Sequence, residues 1–149
     1  MNFNKTNNLI GWLLFLCSTV LYLFTLESTA SFWDSGEFIS ASYKLEIPHP
    51  PGAPLFLLIG RLWSLFAMGQ VESVAFAVNA LSAVTSGLAV MFLYWSIVMI
   101  ADKLLKSISD ETSPWLVFAS GMVGALSFAF SDSFWTSATE TEVYAFSVF

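Results

Sequence analysis

Acidic residues and the only histidine of this 149-residue sequence follow its first apolar run, in one short segment rich in proline. Asp34 and Glu37 are three residues apart, so on a helix their side chains share a face. His49 stands in the turn Pro48–Gly52, where the prolines prevent a helix. A positioned carboxylate can remove the proton of an attacking hydroxyl. The segment is therefore predicted to form half of an active site.

A second acidic segment near the end of the sequence holds Glu140 and Glu142. Residues two apart on a helix point in different directions, so only one of this pair is expected to face a common site. The segments 34–37 and 139–142 also have the spacing of a capping box, in which the acids only close helix ends. Capping is thus the alternative to catalysis, although a cap also fixes a carboxylate in space.

The composition places these acids in a membrane protein. Hydrophobic residues make up 56% of the sequence and charged residues 11%, whereas soluble domains carry about 25% charged residues. The net charge of −6 argues against a nucleic-acid partner, because no basic patch exists to meet phosphates. Cys17 is the single cysteine, so it cannot form an intrachain disulfide.

Three segments are long and apolar enough to cross a bilayer as helices, which takes about 20 residues. They cover about 9–26, 74–100 and 114–131, and the apolar run 143–149 begins a fourth span. The sequence therefore predicts an all-α integral membrane protein, with three full transmembrane helices and the start of a fourth in a single module. A sequence that stops inside an apolar run is expected to be a fragment of a longer protein.

Two loops are predicted on the outer side of the membrane, at 27–73 and 132–142. The first is expected to contain short interfacial helices at about 35–46 and 54–68. Three of the five Lys and Arg residues would then lie inside, so the positive-inside rule weakly favours a cytoplasmic N-terminus.

The segment 54–68 decides whether one joint site can exist. Arg61 lies in its middle, and an arginine costs about 2.5–3.5 kcal/mol at a bilayer centre. Its leucines follow helical spacing, so we interpret the segment as an amphipathic helix in the interface. If it crossed the bilayer instead, Asp34 and Glu140 would face opposite compartments.

The first apolar run has a second interpretation, a cleaved signal peptide. Ser28-Thr29-Ala30 resembles a small-residue cleavage site. The apolar core of the run is longer than the 7–15 residues usual for such signals, which favours a retained span.

The residues around both acidic segments resemble a known family. In the first loop the matching motifs are Trp33–Phe38, Lys44–Glu46 and His49–Phe56, and in the second loop the match runs from Phe134 to Ala145. These motifs resemble the N-terminal part of the protein O-mannosyltransferase-like membrane proteins of bacteria, which belong to the GT-C glycosyltransferases.

The resemblance implies a GT-C-like N-terminal module that takes part in sugar transfer. The donor would be a polyprenyl-phosphate sugar, mannose-like, and the acceptor a protein hydroxyl or another acceptor such as a glycan. The reaction would take place at the non-cytoplasmic face of a bacterial plasma membrane. Family members have many more spans, so this fragment is expected to be inactive alone.

Within that reaction Asp34 is predicted to be the general base. A serine or threonine hydroxyl attacks well only when its proton is removed. Glu37 or Glu140 would orient Asp34 or the acceptor for that step.

The donor phosphate requires positive charge, since a site made only of acids would repel it. Arg61 and Lys44 are the candidate cations, and Arg suits bidentate phosphate contacts. His49 and Glu142 complete the candidates for substrate and donor binding. A divalent metal held by carboxylates is the other solution, so a metal cofactor stays open.

Two other classes of protein compete with an enzyme. A non-catalytic membrane subunit would use the acids as helix caps and its small-residue faces for partners. A transporter would need polar groups near mid-membrane, where only Asn79 and small hydroxyls are expected.

Overall fold

The structure is a computed structural model that describes residues 2–31, 34–50, 52–108 and 113–141. Within those ranges the regular structure is entirely helical. Trp33, the site candidate Glu142 and the predicted fourth span at 143–149 lie outside the described residues.

Six α-helices and two single 3-10 turns follow one another in the described ranges. The α-helices are α1 (Phe3–Phe24), α2 (Ser35–Lys44), α3 (Pro54–Ser64), α4 (Val74–Ile108), α5 (Pro114–Ala129) and α6 (Asp132–Thr139), and the 3-10 turns are Leu65–Ala67 and Val71–Ser73.

The predicted all-helical membrane fold is confirmed in its coarse form. Helices α1 and α4 are each long and apolar enough to cross a bilayer. Helices α5 and α6 form a pair bent by 67°, which adds a third span if the pair is counted as one. The described ranges therefore hold two candidate spans, or three with the bent pair.

Helix α6 lies where the sequence suggested only a loop, 132–142. The chain turns after α5 at Phe130, and Ser131 takes the N-cap position of α6. Asp132 follows in the first turn, where a carboxylate interacts favourably with the helix dipole. The third apolar segment thus ends as a helix at Ala129, and a short helix continues at an angle.

Helix α4 is the centre of the bundle and contacts every other α-helix in the described ranges. Small residues allow close approach on two sides. A Cβ atom at Gly87 of α4 would overlap the hydroxyl of Thr19 on α1. A Cβ atom at Gly121 of α5 would lie 2.6 Å from Cγ2 of Val98. The backbones of α1, α4 and α5 are therefore packed as closely as glycine permits.

Helices α1 and α4 run antiparallel. The side-chain amide of Asn79, in the second turn of α4, donates a hydrogen bond to the Glu27 carbonyl just after α1. At the other end of the pair, the indole of Trp95 donates to the carbonyl of Asn7. The chain between α1 and α4 therefore leaves and re-enters the bundle at one end, which we call the loop end.

The end of α5 and the short helix α6 also lie at the loop end. The Tyr22 hydroxyl, near the end of α1, donates to the carbonyl of Ala129 at 2.9 Å. The backbone N–H of Glu27 donates to the carbonyl of Thr139, the last residue of α6, at 3.1 Å. Both predicted outer loops are therefore at the same end of the molecule.

Helices α2 and α3 form a hairpin over the first turns of α4. Phe38, Phe56 and Leu81 belong to the apolar cluster that joins the three helices. The opposite face of α3 and the 3-10 turn that follows it expose large apolar side chains, namely Leu55, Leu58, Leu62, Leu65 and Phe66. The apolar segment Pro54–Ala67 extends about 20 Å, shorter than a hydrocarbon core of about 30 Å. Its length and return to the loop end support an interfacial position.

We expect cysteines at Gln70 and Ser133 to face one compartment and a cysteine at Ser107 to face the other. The protein would first carry Cys17→Ser, which removes the exposed native thiol of α1. Each single-cysteine variant is treated in sealed vesicles with a membrane-impermeant maleimide. Labelling of positions 70 and 133 from opposite sides would contradict the shared loop end.

Candidate active site at the loop end of the bundle

The structure brings His49 against Asp34 and Glu37, which lie earlier in the first loop. Asp34 precedes α2 and Glu37 lies in its first turn. Leu45 ends the helix in the left-handed conformation, with φ of 56°. The N–H of Gly52 donates to the carbonyl of His49 at 3.0 Å and closes a turn. The chain thereby folds back so that His49 lies against the start of α2.

Glu37 holds His49 with both of its carboxylate oxygens. Oε1 accepts the backbone N–H of His49 at 2.7 Å, and Oε2 lies 2.8 Å from the ring nitrogen Nδ1. The other ring nitrogen, Nε2, faces Asp34, with 3.8 Å to Oδ2. The imidazole therefore lies between two carboxylates, hydrogen-bonded to one and facing the other.

These contacts shift the pKa values of the pair in opposite directions. The side-chain hydrogen bond from His49 lowers the pKa of Glu37, and the backbone hydrogen bond adds to this effect. The hydrogen bond to Glu37 raises the pKa of His49, with smaller contributions from the charges of Glu37 and Asp34. Since both side chains are open to water, the pair favours a charged imidazole beside a carboxylate without strong burial.

Asp34 and Glu37 do not act as a capping box. Asp34 occupies the N-cap position of α2, but its side chain makes no capping hydrogen bond. The carboxylate of Glu37 contacts His49 instead of reaching back to the helix start. At 57% exposure the side chain of Asp34 is accessible to a substrate. The capping alternative is therefore wrong for this pair of acids.

Asp34, Glu37 and His49 could also hold a cation, because each offers one ligand atom and these atoms lie within 4.8 Å of one another. Carboxylate oxygen and imidazole nitrogen are ordinary ligands for several divalent metals. The facing atoms of Glu37 and His49 already share a hydrogen bond, however. An ion would have to replace that bond.

Glu140 lies at the loop end but outside this cluster. It follows the last residue of α6 in extended backbone and is partly buried. Its neighbours fix its place, because the Thr139 carbonyl accepts from Glu27 and the Thr141 hydroxyl donates to Asn79. Glu140 therefore lies close to the chain that follows α1.

Arg61 and Lys44, the two expected phosphate-binding cations, contact other groups far from Asp34. The Arg61 guanidinium donates to the carbonyl of Tyr43 at 2.6 Å and lies 5.3 Å from the centre of its ring. Lys44 lies 3.9 Å from the carboxylate of Glu46 on an exposed surface. Both contacts are at the end of α2 opposite Asp34, about 15 Å away along the helix. Arg61 therefore fastens α3 to the carbonyl end of α2.

The residue that sequence reasoning misplaced is Asn79. It was expected near mid-membrane, but it lies in the second turn of α4 and is fully buried. Its amide donates to the carbonyls of Glu27 and Thr29, and its oxygen accepts the hydroxyl of Thr141. A buried amide needs hydrogen-bond partners. An Asn within an apolar span was therefore the sequence signal that this side chain bonds to other segments.

The family identity of the chain follows from a match to a family sequence model over most of its length. The sequence model of the family described as the protein O-mannosyl-transferase TMEM260 N-terminal domain matches residues 34–149. The chain belongs to this family. The resemblance inferred from the motifs is thereby confirmed.

Two relatives of the TMEM260 family show how much of a longer protein the chain covers. A protein O-mannosyl-transferase tmem260 from Dictyostelium discoideum is 27% identical over 89% of this chain and 14% of its own length. The Mus musculus protein O-mannosyl-transferase TMEM260 is 30% identical over 88% of this chain and 16% of its own length. The chain thus spans less than a fifth of either relative, and both relatives are eukaryotic. No solved structure matches the chain.

We expect Asn79→Ala to lower the free energy of unfolding by about 1–3 kcal/mol, because it leaves the part-buried Glu27 carbonyl without its donor and the buried Thr141 hydroxyl without its acceptor. The matched control is Thr85→Val, since among the described residues that buried hydroxyl bonds only to carbonyls of its own helix. Thermal unfolding in one detergent compares the two variants. An Asn79→Ala effect no larger than that of Thr85→Val would contradict the role given to Asn79.

The contact between Glu37 and His49 should contribute most to stability in mildly acidic solution, between about pH 4.5 and 6.5. The contribution of His49 is fully present below its ordinary pKa of 6.5 and is lost as pH rises through the raised folded value. The contribution of Glu37 is present above its ordinary pKa of 4.5 and is lost as pH falls through the lowered folded value.

An NMR titration of the single histidine measures this contact directly. We expect the pKa of His49 to lie above 6.5 in the protein and to fall towards that value in Glu37→Gln. Glu46→Gln is the control, because Glu46 lies beyond the opposite end of α2. An unchanged pKa in Glu37→Gln would show that the contact is not formed.

Proposed function

We propose that this chain is the base-bearing N-terminal part of a membrane protein O-mannosyltransferase of the GT-C type. The complete enzyme would move a mannose-like sugar from a polyprenyl-phosphate donor to a hydroxyl group of a protein. Membership of the TMEM260 family supports the class of reaction, and both relatives described above are named protein O-mannosyl-transferases.

The observation that carries the proposal is the position of Asp34. Its carboxylate is exposed at the loop end of an apolar bundle, makes no capping bond and faces an imidazole. A lipid-linked donor keeps its chain in the bilayer and its phosphate at the surface, so the reaction belongs where the apolar helices end. A non-catalytic subunit would instead use this acid as a cap.

The chemistry assigned to Asp34 is general-base catalysis. As the acceptor oxygen attacks the anomeric carbon of the sugar, Asp34 takes the hydroxyl proton. The bond between that carbon and the phosphate oxygen breaks, and the polyprenyl phosphate leaves with the electron pair. Glu140, on the neighbouring segment of the loop end, is proposed to orient the acceptor.

The orientation proposed for the membrane follows from the same reaction. The loop end would face the non-cytoplasmic side, and the N-terminus of α1 and the lysines at the far end of α4 would face the cytoplasm. Apolar side chains exposed on α3 support contact between the α2–α3 hairpin and the headgroup region.

A divalent ion is the second source of positive charge for the leaving phosphate. Bound by Asp34, Glu37 and His49, it would neutralise charge on the phosphate oxygens. Binding of this ion would require the Glu37–His49 hydrogen bond to break. Metal binding and the hydrogen-bonded arrangement are therefore alternatives that experiment can separate.

We expect Asp34→Asn to reduce sugar transfer by roughly 10²–10⁴-fold, the usual contribution of a general base, while the protein still inserts and folds. Transfer from a polyprenyl-phosphate mannose to an acceptor protein is measured in vesicles that contain the full-length chain. Glu46→Gln serves as the matched control for removing a loop carboxylate. Unchanged transfer, or loss of folding in Asp34→Asn, would refute the assignment.

A further inference from the structure

The imidazole of His49 has one nitrogen engaged and one nitrogen open. Nδ1 is hydrogen-bonded to Glu37 at 2.8 Å. Nε2 lies 3.8 Å from Asp34, which exceeds the length of a hydrogen bond. The structure shows no hydrogen bond from Nε2 to a described residue. When the ring is protonated, Nε2 therefore presents an unused N–H beside the proposed base.

The position of this N–H is set by the contacts of His49 with three other residues. Glu37 accepts the backbone N–H of His49 as well as the ring proton. The carbonyl of His49 closes the turn at Gly52. The ring of Phe38 lies 5.9 Å from the imidazole. Nε2 is therefore already oriented before any substrate binds.

Glu37 itself is poorly placed to act as a base. Both of its oxygens accept hydrogen bonds from His49, and those bonds stabilise the ionised carboxylate. The carboxylate of Asp34 accepts no hydrogen bond in the described structure, so its oxygens are open to a substrate hydroxyl. The two acids of the first loop therefore have different roles.

A donor phosphate needs a hydrogen-bond donor or a cation close to Asp34. The contacts of Arg61 and Lys44 lie at the opposite end of α2. His49 is the positively chargeable group that the described structure places next to Asp34. A protonated imidazole donates a charge-assisted hydrogen bond to a phosphate oxygen.

We propose that Glu37 is a positioning residue that orients His49, and that His49 donates its Nε2–H to the phosphate of the lipid-linked donor. The proposal rests on the transferase function proposed above and assigns the phosphate contact to His49 in place of Arg61 and Lys44. Asp34 remains the base, and the imidazolium stabilises the negative charge that develops on the leaving phosphate oxygen.

The orientation of the ring can be tested without measuring activity. His49 is the only histidine of this chain, so ¹⁵N-histidine labelling in a membrane mimetic gives one pair of ring signals. We expect Nδ1 to keep its proton when the ring becomes neutral, since Glu37 accepts it. In Glu37→Gln the amide can donate to Nδ1, so the proton should move to Nε2. Glu46→Gln should behave as the unaltered protein.

A neutral ring that carries its proton on Nε2 in the unaltered protein would overturn the positioning role. So would the same tautomer ratio in Glu37→Gln.

The phosphate contact is tested by transfer kinetics in the full-length chain. We expect His49→Gly to lose roughly 10–100-fold in kcat/KM for the lipid-linked donor, which is the worth of a hydrogen bond to a charged group. Added imidazole should restore part of the loss in His49→Gly and none of the loss in Asp34→Asn. Arg61→Gln, in which α3 loses a tether, should respond to imidazole no more than the unaltered protein.

Three outcomes separate this proposal from the proposed function. Loss of transfer with a chelator and recovery with a divalent cation would overturn it, because His49 would then be a metal ligand. Full activity of His49→Gly would also overturn it. If Asp34→Asn keeps full transfer while His49→Gly loses it and is rescued, the assignment of the base fails and the phosphate contact stands.

Discussion

The buried amide of Asn79 holds the loop end of the molecule together. In an apolar bundle a carboxamide without partners is costly, and Asn79 satisfies its own through the chain after α1 and the chain after α6. Those two segments lead directly to Asp34 and to Glu140. One side chain of α4 thus joins the segment that leads to Asp34 with the segment that follows Glu140, together with the backbone bond from Glu27 to Thr139.

The helical membrane character of the chain could be predicted because it depends on local composition. Long apolar runs identify α1 and α4, and the prolines at 48–54 explain why α2 and α3 are separate helices. The interfacial position of α3, for which Arg61 argues against a span, stays a prediction. In the structure that guanidinium contacts the end of α2, where a helix leaves carbonyls without partners.

The parts that sequence reasoning could not supply depend on contacts between distant segments. The pairing of Glu37 with His49 requires the chain to reverse after α2 at Leu45, which has a positive φ. A non-glycine residue such as Leu45 gives little sign of this conformation. Likewise Arg61 was a candidate for phosphate binding from its charge, whereas its partner, the carbonyl of Tyr43, became visible only with the packing of α3 on α2.

The exposure of Asp34, Glu37 and His49 has a chemical cost for the sugar transfer proposed above. Between 41% and 57% of each of the three side chains is open to solvent, and water is a small acceptor that reaches any uncovered carboxylate. An activated sugar placed here would be hydrolysed unless the acceptor, the donor chain or further protein closed over it. Protection from wasteful hydrolysis must therefore come from a surface other than the described bundle.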